Sequence, residues 1–159
     1  MIDAAVLGSP IGHSLSPLLH NVAYKHLGVQ GQYEAIEVKS GQLSEFLSTT
    51  QKDVFSLTMP LKEEALGVAN DVSQIAKKIS GGNTLVRSGT GWNLTSTDVE
   101  GFKYALLGHG ISKVENCLII GAGATARAAV AAVSELTENI SVLNRNPERV
   151  AQMNTAAGR

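Results

Sequence analysis

Gly8-Ser9-Pro10-Ile11-Gly12-His13-Ser14-Leu15-Ser16-Pro17 sets two hydroxyls, Ser14 and Ser16, at the expected start of a helix. Backbone N–H groups and the helix dipole favour an anion there, such as a small carboxylate. Capping ahead of Pro17 is the competing explanation for Ser16, and Ser14 has no such alternative role. Thr58-Met59-Pro60-Leu61-Lys62 again follows a strand and opens a helix. Lys62 falls in the first turn, where the dipole disfavours a cation, which suits proton exchange with a substrate hydroxyl. A solvated lysine beside Glu63 and Glu64 is the plain alternative. Asp98 stands in the first turn of a later helix, where a carboxylate is stabilised whether or not it does chemistry. If Asp98 and Lys62 meet, their titrations couple, and residue types alone do not decide which is the base. Asn83, after Gly81-Gly82, can exchange hydrogen bonds with vicinal hydroxyls or simply shape a turn.

A second constellation lies in Cys117-Leu118-Ile119-Ile120-Gly121-Ala122-Gly123-Ala124-Thr125-Ala126-Arg127, an apolar run that breaks into glycines and continues as an alanine-rich helix. Gly121 permits the tight turn, Gly123 lets the backbone approach a pyrophosphate, and Ala126 stands at the third small position. The next apolar run, residues 140–143, ends at Asn144-Arg145, with Arg149 one helical turn further on. An NAD site would place Asp or Glu about 20 residues past the glycines, whereas Asn and Arg suit a 2′-phosphate. NADP is the expected cofactor.

The elements that must position these groups alternate. Apolar runs at 4–7, 33–38, 54–57 and 84–86 read as strands. Leu15, Leu18, Leu19, Val22, Ala23 and Leu27 form a helical stripe expected to face the core, and the helix should stop at Gly28. Further helices are expected around Leu43, Phe46 and Leu47, over 61–68 and over 72–79. Ser88-Gly89-Thr90-Gly91 predicts a hairpin, and Thr97-Asp98-Val99-Glu100 a capping box that opens a linking helix. The class is α/β. The glycine loop comes so late in 159 residues that its domain has only two strands, one helix and the start of another. The expected division is 1–100, a linking helix and loop at 101–114, and an incomplete nucleotide domain at 115–159. Two strands cannot cover both faces of their own sheet.

Composition removes several function classes. A net charge of −1 without a basic run gives no footprint for nucleic acid or an anionic membrane. The N-terminus lacks a leader pattern, and no stretch approaches 18 apolar residues, so a cytoplasmic protein without a membrane span is expected. Single Cys117 cannot form an intrachain disulfide and reads as a core residue in a reducing compartment. His13, His20, His26 and His109 are too scattered for a ligand cluster, and no metal is expected.

Taken together, Gly8, Pro10-Ile11, His13-Ser14-Leu15-Ser16-Pro17, His20-Asn21, Leu57-Thr58-Met59-Pro60-Leu61-Lys62, Asn83-Thr84-Leu85, Thr97-Asp98 and Gly101 resemble the shikimate dehydrogenase family in order and spacing. The resemblance implies an N-terminal α/β substrate domain followed by the beginning of a Rossmann-type NADP-binding domain. It implies reversible NADPH-dependent reduction of 3-dehydroshikimate to shikimate, on the route to chorismate and the aromatic amino acids. By the same resemblance Ser14 and Ser16 hold the substrate carboxylate, Thr58, Asn83 and Asp98 bind its hydroxyls, and Lys62 exchanges the proton. Gly121, Ala122, Gly123, Ala124 and Thr125 cradle the pyrophosphate, Asn144, Arg145 and Arg149 take the 2′-phosphate, and Gln74 touches the cofactor. A homodimer is also implied. Three departures stand out. Ser96 replaces a usual Asn, Ala124 replaces a frequent glycine and needs a negative φ, and the late Gln-containing substrate motif and nicotinamide seat are not within these residues. Two alternatives follow. One is a quinate/shikimate dehydrogenase paralogue using NAD, which Asn144-Arg145 opposes. The other is a non-catalytic shikimate-binding module.

Overall fold

In the computed structural model, which describes residues 1–158, the first apolar run forms β1 (Ile2–Gly8), with Ala4, Ala5, Val6 and Leu7 all buried. A strand apolar on both faces belongs inside a sheet. It has parallel neighbours on each side, β2 (Gly31–Glu37) and β3 (Val54–Leu57). The chain then adds β4 (Asp71–Val72), β5 (Thr84–Ser88) and β6 (Gly91–Thr95). Antiparallel β5 lies on β3 and forms the expected hairpin with β6, giving the order β2-β1-β3-β5-β6-β4. Helices α1 (Ser16–His26), α2 (Leu43–Thr49) and α3 (Leu61–Val68) complete this first compact unit, Met1–Ser73 with Gly82–Thr95. Phe55 and Trp92, with ring centroids 5.4 Å apart, are buried in it with Leu7, Leu43, Leu61 and Leu85.

Helix α1 departs from the expected burial. It ends where predicted, with Gly28 at φ +65°, but none of its residues is fully buried, and Leu15 and Leu27 are 67% and 70% exposed. Polar and aromatic groups attach it instead. The His20 ring stacks on Tyr33 at 4.0 Å, and the Asn21 side chain donates to the Tyr33 carbonyl (2.8 Å) and accepts from the Tyr33 N–H (2.9 Å). Strand β2 is a sheet edge, so Asn21 completes backbone bonds that the sheet leaves open. Asn21→Ala is expected to lower unfolding free energy by about 2 kcal/mol, because it leaves both Tyr33 backbone groups without that partner. Urea denaturation checks this, and a midpoint equal to wild type would remove Asn21 from the account of how α1 is held.

The second unit comprises Gln74–Gly81 and the chain from Ser96 onward. It contains α4 (Gln74–Lys78), α5 (Asp98–Gly108), β7 (Cys117–Ile120), α6 (Ala124–Val133), β8 (Ile140–Leu143), a 3-10 turn (Pro147–Arg149) and α7 (Val150–Ala157). β7 and β8 are parallel neighbours joined through α6. Small residues let α6 be approached closely from two sides. Ala128, Ala131 and Ala132 pack with Ile79 and Val99, while Val130 packs with Ala122, Met153 and Ala156. The helix expected over 72–79 begins only at Gln74, because Asp71 and Val72 pair with β6 and Ser73 continues that ladder to the Leu94 carbonyl. Ile75, Ile79 and Phe102 explain why α4 and α5 belong to this unit, whereas the sequence suggested a boundary at residue 100 and a separate linking helix. Cys117 is half-buried rather than buried, and Leu118, Ile120 and Leu143 are exposed on the other face of the two-stranded sheet. Among the described residues no helix is long and apolar enough to cross a membrane. No group of three or more His, Cys, Asp or Glu among them is disposed to hold a metal ion.

Candidate functional site

Strand order reverses between β1 and β3 in the first unit. β1 leads through α1 to β2 on one side, whereas β3 lies on the other, so the loops leaving the carboxyl ends of β1 and β3 diverge. Ligand sites of open α/β sheets form at such reversals. Ser14 comes from the loop after β1 and Ser16 from the first position of α1, while Thr58 comes from the turn after β3 and Lys62 from the first turn of α3. Antiparallel β5 pairs Thr84 with Ser56 and so brings Asn83 to the same end of the sheet.

Backbone hydrogen bonds fix three of these residues as one group. The Leu57 N–H donates to the Asn83 carbonyl (2.7 Å), Gly82 N–H to the Lys62 carbonyl (2.9 Å), and Leu61 N–H to the Thr58 carbonyl (2.8 Å). The Thr84 hydroxyl donates to Asn83 Oδ1 at 2.8 Å, which orients the amide. The β1 loop joins them through Ser9 N–H to the Met59 carbonyl (3.0 Å). Thr58, Lys62 and Asn83 are all half-buried, as are Ser14 and Ser16.

The serine pair reverses the sequence argument. Ser16 is the first residue of α1 and not its cap, and Ser14 Oγ accepts the Ser16 N–H at 3.3 Å. Ser14 thus has the local structural role expected of Ser16. Asp98 shows the same displacement in the second unit. It opens α5 and is half-buried, and its N–H donates to the buried Ser96 hydroxyl at 3.3 Å. Thr97 makes no side-chain cap bond there, so Ser96, the departure noted from the family pattern, supplies the helix start.

The glycine loop fits a diphosphate in its own geometry. Gly121 has φ +112°, which a side chain would strain, and Gly123 caps α6 with extended backbone and no side-chain cap bond. A Cβ on either glycine would meet open space. Ala124 is the first helical residue and lacks a positive φ, so its replacement of glycine is accommodated. Thr125 is exposed one residue later. After β8, Arg145 and Arg149 are exposed, while the half-buried Asn144 donates its amide to the Asn146 carbonyl. Gln74 is exposed at the start of α4.

Residues 6–85 match a family model described as the shikimate dehydrogenase substrate binding domain. The chain belongs to the shikimate dehydrogenase family. The shikimate dehydrogenase (NADP(+)) of Bartonella quintana (strain Toulouse) is 40% identical over 151 residues, covering 92% of this chain and 52% of that protein. The crystal structure of shikimate 5-dehydrogenase from Thermus thermophilus in complex with shikimate is 36% identical, with a TM-score of 0.90 over 99% of this chain and 62% of that one. The same enzyme in complex with NADP(H) and shikimate gives a TM-score of 0.87. The chain spans about half the length of the curated relatives it matches.

Two residues of this shikimate dehydrogenase family member were overlooked in the sequence. Glu64, read only as a neighbour of Lys62, accepts the Gly41 and Leu43 N–H groups (2.8 and 3.1 Å) and thereby fixes the start of α2. Arg127 is fully buried. Its one sequence signal is a lone cation in an otherwise small and apolar helix.

Proposed function

We propose that the protein interconverts 3-dehydroshikimate and shikimate with NADPH and NADP+, on the route to chorismate and the aromatic amino acids. The observation that carries this reading is the network holding Thr58, Lys62 and Asn83 together at the carboxyl ends of β1 and β3. A polyhydroxylated carboxylate needs hydroxyl partners, an anion site and a proton-exchanging group in one cleft. Thr58, Asn83 and Asp98 take the hydroxyls, Ser14 and Ser16 the carboxylate, and Lys62 or Asp98 receives the hydroxyl proton. The nicotinamide accepts or donates the hydride. Residues 115–159 act as the opening of a Rossmann-type domain. In it Gly121 to Thr125 hold the pyrophosphate, Asn144, Arg145 and Arg149 the 2′-phosphate, and Gln74 a further part of the cofactor.

NADPH formation at 340 nm with shikimate and NADP+ tests the activity. Turnover supports the reading. Shikimate binding without turnover would make the chain a binding module, and quinate oxidation with NAD would make it the paralogue. Gly123→Ala separates nucleotide binding from folding. Its backbone is ordinary and its Cβ meets no atom within 4 Å, so thermal stability should stay within about 1 kcal/mol of wild type. NADP+ affinity should fall at least about tenfold, since the methyl group occupies the space a pyrophosphate needs. Equal affinity would remove the pyrophosphate from this loop. Cytoplasmic placement and a homodimer belong to the same proposal, and sedimentation equilibrium at twice the chain mass would support the dimer.

A further inference from the structure

Among the described residues Arg127 is the bulkiest side chain that is fully buried. A guanidinium is tolerated in such a place only when its donors are engaged. Nε donates to the Ile79 carbonyl (2.6 Å) and Nη2 to the Ser80 carbonyl (2.9 Å), at the end of α4. Nη1 donates to the Ala122 carbonyl (3.1 Å) and to Gln152 Oε1 on α7 (2.9 Å). One planar group thus joins α4, the loop after β7, and α7. A lysine carries its donors at a single point and could not reach these divergent acceptors together.

Two of the acceptors belong to special backbone. Ser80, at φ +50°, is the one non-glycine with a positive φ among the described residues. Ala122 lies between Gly121, at φ +112°, and Gly123, the cap of α6. The peptide joining Ala122 to Gly123 is trans, so its C=O and N–H point to opposite sides. Holding the Ala122 carbonyl toward the buried guanidinium turns the Gly123 N–H away from it. Left to itself, a peptide next to a glycine has more than one accessible orientation.

We propose that Arg127 is a positioning residue for the nucleotide site, which locks the 122–123 peptide so that the Gly123 amide is preset to donate to a diphosphate. This rests on the reading of the glycine loop as the NADP site. Arg127 touches neither cofactor nor substrate in this role. It acts through the loop, and the preorganised amide spares the bound complex the ordering of that peptide.

The test uses the 159-residue chain and its Arg127→Lys variant, which keeps the charge and loses the fork. Binding of NADP+ and of shikimate is measured by calorimetry, and the Gly123 amide is followed by its ¹H–¹⁵N resonance and hydrogen exchange. The variant should bind shikimate as wild type does, bind NADP+ about tenfold more weakly, and show a displaced, faster-exchanging Gly123 signal. A folded variant with unchanged NADP+ affinity and an unmoved Gly123 signal overturns the proposal. Should wild type itself not bind NADP+, the cofactor reading fails on its own. The Gly123 signal then decides Arg127 alone, displacement supporting the lock and an unmoved signal refuting it. If Arg127→Lys does not fold, Gln152→Ala, at an exposed position, replaces it under the same criterion.

Discussion

Lys62→Ala is expected to lower shikimate oxidation by about 10²- to 10⁴-fold, the usual contribution of a positioned proton-transfer group, with a much smaller change in KM for shikimate. The backbone at this position keeps two anchors when the side chain is truncated. Buried Leu61 anchors the start of α3, and the Lys62 carbonyl receives the Gly82 N–H at 2.9 Å whatever the residue carries beyond Cβ. Lys62→Arg should not rescue turnover, since a guanidinium stays protonated and cannot exchange the proton. The kcat for NADPH formation, measured beside shikimate affinity, is the check. A variant that keeps wild-type kcat would reduce Lys62 to a surface cation. One that loses shikimate affinity and kcat in proportion would make it a binding group.

What could be read in the chain beforehand follows from the range of each interaction. Strands β1, β3 and β5, the hairpin and the strand-turn-helix at Gly121 rest on local apolar runs and glycine placement, so periodicity and turn chemistry located them. The stripe of α1 is exposed for a non-local reason. Helical spacing marks an apolar face, but His20 and Asn21 on another face had better partners in Tyr33. The same limit applies to Ser14 and Ser96, whose hydroxyls accept the first helical N–H groups where the sequence points to the side chains of Ser16 and Thr97. A hydroxyl one or two residues earlier takes the first helical N–H without changing the sequence pattern. Glu64 carries no signal of its role in the sequence, and Arg127 only that of a lone cation in a small, apolar helix. The donors of Glu64, at Gly41 and Leu43, and the acceptors of Arg127 at Ile79 and Ser80 are brought near only by the tertiary fold. Thr58, Lys62 and Asn83 could be named as candidates one by one. Their union came from the register of β5 on β3.

Gly8→Ala should be the most damaging glycine substitution in the β1 loop, and it should act on Thr58. A Cβ at Gly8 would stand 2.5 Å from Thr58 Cγ2, 2.9 Å from the Met59 carbonyl oxygen and 3.3 Å from Ile11 Cδ1. Rotating Thr58 could relieve the first contact but would carry its hydroxyl away from its present direction. The second involves backbone that already accepts the Ser9 N–H, so the turn after β3 must shift as well. Overpacking of this kind costs about 1–3 kcal/mol, and shikimate affinity should fall at least about tenfold if Thr58 binds a hydroxyl. Gly12→Ala, four residues along the same loop, meets nothing within 4 Å, has no positive φ, and should leave both quantities within error. Adding Thr58→Ser to Gly8→Ala deletes the colliding methyl group and keeps the hydroxyl. The double variant should therefore recover part of the lost affinity, a coupling that a double-mutant cycle of shikimate binding measures directly. Strict additivity of the two substitutions would separate Gly8 from Thr58, and the effect of the glycine would then lie in the Met59 backbone alone.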